Sequence, residues 1–170
     1  MEGVPLGTAR NTHGTARTPL HRRIRSNLFY GLPRTTGDID YYTAVRANLN
    51  LDAMAGRGSP LHQKYKLWLH RAAIANLPED YATRLAEMAP GQFERLRILV
   101  PDPYDCILSK IERASPKERD DADYLFRSQK LDAQLLRQRY ENELRHNLIG
   151  NVDWHDKTLE LWIEIFVAPR

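Results

Sequence analysis

Apolar residues fall in short clusters along the chain, and the spacing inside each cluster predicts its element. Residues 1–26 are rich in Thr, Arg, Gly and Pro and hold no sustained apolar period, so they read as a disordered tail. The remainder, 27–170, reads as one domain. Over 38–45 the β-formers Ile39, Tyr41, Tyr42 and Val45 predict a strand that runs into a short helix. Gly56, Gly58 and Ser59 interrupt the pattern, and Ser59-Pro60 has the order of an N-cap and a first helical residue. Leu61, Tyr65, Trp68, Leu69 and Ala72 then recur at steps of three and four, the stripe of an amphipathic helix. Pro78 opens a further predicted helix, with Tyr81, Leu85 and Met88 on one face, closed by Pro90-Gly91.

The apolar run 96–100, stopped by Pro101, predicts a second strand. Pro103 starts a helix carrying Ile107, Leu108 and Ile111. Ser115-Pro116-Lys117-Glu118 is a capping box with proline at the first helical position, and its helix turns Ala122, Leu125 and Phe126 inward. A long amphipathic helix is expected over 131–148, with Leu135, Leu136, Tyr140, Leu144 and Leu148. Asp153 is the expected cap of a last helix bearing Leu159, Trp162, Ile163 and Phe166. The class is α/β: a small mixed sheet followed by a mainly helical C-terminal part.

Composition narrows the classes. The longest apolar runs, 72–75 and 165–168, have four residues, far short of the roughly 20 a spanning helix needs, so a membrane partner is not expected. Cys106 alone forms no internal disulfide and no cysteine-rich zinc site. It reads as a small core residue, and a reducing, cytoplasmic setting is expected. The histidines (His13, His21, His62, His70, His146, His155) show no ligand spacing, and Trp68, Trp154 and Trp162 read as helical core. Residues 1–36 carry six arginines against the single acid Glu2, whereas the remaining residues are slightly acidic. Such a tail is a solvated arm, a nucleic-acid-binding arm or a targeting segment.

The sharpest chemistry is Asp38-Ile39-Asp40. Strand residues two apart face one side, so both carboxylates project together. They repel unless a hard divalent cation, Mg²⁺ or Mn²⁺, lies between them, although a solvated strand face produces the same spacing. Lys110 and Arg113, three apart, share an expected helix face, as do Asp120 and Asp123 on the next helix. Those charges either form an inter-helix ion-pair network or build a site.

The string Tyr30-Gly31-Leu32-Pro33-Arg34-Thr35-Thr36-Gly37-Asp38-Ile39-Asp40-Tyr41 resembles the second half of the active-site signature of bacterial nucleotidyltransferase-fold proteins. The branch it looks like contains the AbiEii and MenT type toxins of toxin–antitoxin systems. A second match is an acid, a lysine five residues on, and Arg-Asp-x-x-Asp: Asp105, Lys110, Arg119, Asp120 and Asp123. The resemblance implies a metal-dependent transfer of a nucleotidyl group from a nucleoside triphosphate to an RNA (tRNA) or protein acceptor, with a cognate antitoxin as partner. It implies Asp38 and Asp40 as metal ligands, Arg34, Thr36 and Lys110 as nucleotide-binding residues, and Asp120 or Asp123 as general base. In the family a Gly-Ser turn precedes the Asp pair and cradles the triphosphate, but the corresponding stretch, 22–27, has none. The alternative is therefore an inactive or truncated relative, lacking the first strand, that binds a partner or nucleic acid.

Overall fold

The structure is a computed structural model describing residues 29–33, 37–41, 50–71, 76–94 and 97–169. The tail and the residues Arg34 and Thr36 lie outside the described residues.

The N-terminal part is a parallel strand pair with helical connections. Strand β1 (Asp38–Tyr41) pairs with β2 (Trp68–Arg71), setting Asp38 opposite Trp68 and Asp40 opposite His70. Parallel neighbours need a crossover, and α1 (Leu51–Ala55) and α2 (Pro60–Tyr65) lie in it. Ser59 caps α2 as its sequence predicts, its hydroxyl accepting from the His62 N–H. The helix does not continue to Trp68 and Leu69. Lys66 turns left-handed at φ 58° and closes it, and Trp68 begins the strand. The apolar spacing expected of one helix thus spans a helix and a strand.

A similar correction applies after Pro78. Only Glu79–Arg84 is helical, as a 3₁₀ segment, and Ala86–Met88 is strand β3. It pairs antiparallel with β4 (Ile98–Val100), the expected second strand, which pairs with β3 and not with β1. The described strands thus form two separate two-stranded sheets in place of a single mixed sheet.

The C-terminal part is helical and holds the core. Helix α3 (Pro103–Leu108) is capped by Asp102, and α4 (Pro116–Ser128) starts with the full capping box of Ser115 and Glu118. Helix α5 (Ala133–Arg139) passes into a π-helical turn, Tyr140–Leu144, and a 3₁₀ turn, Arg145–Asn147, so the long helix expected over 131–148 is segmented. Helix α6 (Val152–Val167) is capped by Asn151, whose side chain accepts from the Trp154 N–H, not by Asp153. Ile107, Leu125, Leu136, Leu144, Trp162 and Phe166 are buried between these helices. Each such side chain contributes roughly 1.5–3 kcal/mol by leaving water. Trp162 is core as expected, but Trp154 is exposed on α6 and Trp68 is a half-buried strand residue.

One short segment ties the two parts together. Leu32 is buried in the helical core. On either side of it the Tyr30 hydroxyl donates to the Pro101 carbonyl at 2.7 Å, and the Tyr124 hydroxyl donates to the Gly31 carbonyl at 2.9 Å. The chain leaving this anchor enters β1.

Candidate functional site

Aligned residues of a strand pair share a face, so Asp38, Asp40, Trp68 and His70 lie on one side of the parallel pair and Ile39, Tyr41, Leu69 and Arg71 on the other. Asp40 Oδ1 stands 3.0 Å from His70 Nδ1, with both side chains more than half exposed. Gly37 is the point of closest approach: a Cβ there would meet Cζ3 of Trp68 at 2.7 Å. The Trp68 ring therefore lies against the backbone immediately before Asp38. His62 packs edge-on to that ring at 4.8 Å, and the Arg57 guanidinium lies 5.7 Å from its centroid. Asp38, Asp52, Arg57, Trp68, His70 and Arg71 are among the walls of a cavity of about 550 Å³.

Among the described residues no three or more His, Cys, Asp or Glu side chains are grouped to enclose a metal. The donor set still fits Mg²⁺, which is commonly held by one or two carboxylates with the remaining positions filled by water and substrate phosphate. Asp38 and Asp40 on one strand face are such a pair.

The residues of the second motif lie elsewhere on the molecule. Asp120 and Asp123 both line a cavity of about 450 Å³ with Pro33, Tyr124, Arg127 and Ser128. Asp123 is buried and receives Arg127 Nε at 2.6 Å, while Asp120 is exposed beside Arg119 at 2.9 Å. Pro33 and Asp38 are five residues apart, so their Cα atoms lie within about 18 Å whatever the path between them. Lys110 joins neither cavity. Helix α3 ends at Leu108, so Lys110 and Arg113 do not share a helix face as expected; both reach α4. Lys110 Nζ lies 3.7 Å from the buried Asp121 carboxylate, and Arg113 pairs with Glu118 at 2.7 Å. Asp38 thus lines one cavity, Asp120 and Asp123 line another, and Lys110 stands in an inter-helix ion pair.

Asp105, the first acid of that motif, is fully buried. Both its oxygens accept from Arg84 at 3.0 Å, and Arg139 approaches at 3.2 Å while also holding Asp102 at 2.6 Å. Arg84 also reaches Glu143 at 2.6 Å. Burial raises the Asp105 carboxyl above its ordinary value, and the Arg84 bonds oppose that rise. This network pins α3 to the 3₁₀ segment and to the α5 region. Cys106 packs against the core as expected, and burial pushes its thiol up to about 12, so it is inert. Sequence reading missed Arg57, Trp68 and His70 as site residues, because only the strand pairing brings them to the carboxylates.

A family model described as a nucleotidyltransferase of unknown function, DUF6036, matches residues 26–165. No curated protein and no solved structure matches the chain.

Proposed function

The chain belongs to this family of nucleotidyltransferases, and from that premise we propose that it transfers a nucleotidyl group from a nucleoside triphosphate to an RNA, such as tRNA, or a protein. The observation that supports this is the Asp38/Asp40 pair on one strand face, with Asp38 in the wall of a cavity of about 550 Å³, a size typical of small-molecule sites. The acceptor oxygen attacks the α-phosphorus, the bond from that phosphorus to the bridging oxygen breaks, and pyrophosphate departs with its electron pair. Asp120 or Asp123 takes the acceptor's proton. Asp38 and Asp40 would hold Mg²⁺ or Mn²⁺, which neutralises charge on the phosphate oxygens and the leaving group. Arg34, Thr36 and Lys110 contact phosphate oxygens, Lys110 by exchanging Asp121 for the ligand. Resemblance to the AbiEii and MenT toxins extends the reading to a toxin held in check by a cognate antitoxin.

The Lys110–Asp121 pair favours a second reading, a non-catalytic relative that binds a partner or nucleic acid. Incubating the full chain with each α-labelled nucleoside triphosphate, Mg²⁺ or Mn²⁺ and total tRNA or protein separates the two. Transfer that drops at least about a hundredfold in Asp38→Asn/Asp40→Asn, the order expected for losing preorganised charge stabilisation, supports the enzyme. No transfer with any nucleotide, together with equal calorimetric metal affinity in wild type and double variant, overturns it.

A further inference from the structure

We propose that Arg57 and Arg71 form the polyphosphate-binding part of the β1 cavity, holding the nucleoside triphosphate through side chains in place of a backbone turn. This rests on the nucleotidyltransferase reading above. The other described arginines (84, 97, 113, 119, 127, 137, 139 and 145) each pair with a carboxylate. Arg57 and Arg71 have no such pair among the described residues, and both line the cavity that contains Asp38. Guanidinium groups bind phosphate bidentately, so two of them at one cavity with Asp38, whose strand neighbour Asp40 shares its face, suit a metal-bound polyphosphate.

The Arg57 turn resembles a phosphate cradle in sequence, Gly56-Arg57-Gly58-Ser59, but three of its four amides are occupied. The Gly56 N–H donates to the Asp52 carbonyl, the Gly58 N–H to His62 Nδ1 and the Ser59 N–H to the Gly56 carbonyl. The Ser59 hydroxyl is likewise engaged as a helix cap. What this turn still offers an anion is Arg57 itself, whose guanidinium is exposed. Trp68 positions it: the ring carries the guanidinium on one side and abuts Gly37 beside Asp38. Arg71 enters from the other face of β2, where register places it with Tyr41.

Calorimetry of the full chain with ATP, GTP, CTP and UTP, each with Mn²⁺, tests this, alongside the same nucleosides without phosphate. Arg57→Gln and Arg71→Gln should each weaken the best-bound triphosphate about tenfold or more, the size of one charge-assisted contact. Arg57→Lys should lose less, and Arg97→Gln, at the β3–β4 pair, should match wild type. Both arginines are exposed, so unfolding midpoints should not move. Triphosphate binding by wild type that is equal in both Gln variants overturns the inference and leaves the nucleotidyltransferase reading standing. Absence of binding of any triphosphate to wild type overturns both.

Discussion

A Cβ on Gly37 would stand 2.7 Å from Cζ3 and 3.0 Å from Cη2 of Trp68, closer than carbon atoms pack. Gly37→Ala must therefore displace the indole that sits beside Asp38 and beneath Arg57. We expect a loss of about 1–3 kcal/mol, the usual cost of overpacking, with a shift in tryptophan emission. Trp68→Leu should relieve most of that cost in the double variant, and an unrelieved loss would show that the ring is not what the Cβ meets. Arg84 is a second residue with a narrow role. Arg84→Ala removes two bonds to the fully buried Asp105 and two to Glu143. The expected loss is about 3–5 kcal/mol in urea unfolding, as for breaking one side of a buried pair. Arg84→Lys should retain part of it, since the charge stays but the fork is gone. A loss below 1 kcal/mol, of order RT, in Arg84→Ala would mean Arg139 alone suffices for Asp105.

At the scale of elements, the helix starts carry their own signals. Ser115 accepts from the Glu118 N–H while Glu118 accepts from the Ser115 N–H, so Ser115→Ala should lower stability by about 0.5–2 kcal/mol, read as the thermal midpoint. Glu118→Gln should cost less, because the amide oxygen still caps; equal losses would point instead to the Arg113–Glu118 pair. The caps Ser59 and Ser115, with Pro60 and Pro116 behind them, and the helix start at Pro103 are local and were legible in the sequence, as were the inward faces of α4 and α6. Of the strands, β1 and β4 were legible from their β-formers, whereas β2 and β3 were read as parts of helices. Each has three or four residues, too few to display an alternation. Leu61, Tyr65, Trp68 and Leu69 keep helical spacing across the break at Lys66, so the pattern hides the turn. The same physics limits the site. Asp38 and Asp40 are neighbours in sequence and were visible, whereas His70 and Arg57 reach them only through a parallel pairing that no local spacing announces. Arg84 and Asp105, 21 residues apart, meet for the same reason.

Across the whole molecule, ion pairs on the helical part set a pH window. Arg145 bonding holds Asp156 below its ordinary 3.8, Arg137 bonding holds Glu160 below 4.5, and His146 bonding holds Glu79 below 4.5. In each case the unfolded chain takes up a proton before the folded chain does. The stability these groups add is complete above their ordinary values and is lost as pH falls through the depressed ones. Asp105, raised by burial, acts in the opposite sense and is relieved by acid, but it stands alone against three. On the alkaline side, burial raises Tyr30 and Tyr140 above 10.0 and Cys106 from 9.0 to about 12. The unfolded chain ionises these first, so their contribution is present below the ordinary values and is lost as pH rises through the folded ones. The urea midpoint is therefore expected to be level from about pH 5 to about pH 9 and to fall on both sides. Asp156→Asn should flatten the acid limb and leave the alkaline limb set by Tyr30 and Cys106. Asp156 also accepts from the Tyr140 hydroxyl at 2.6 Å, so this variant should lower the plateau itself while making it less sensitive to acid. A variant whose midpoint falls with acid as steeply as wild type would remove the Arg145–Asp156 pair as the origin of that limb and leave it to Glu160 and Glu79.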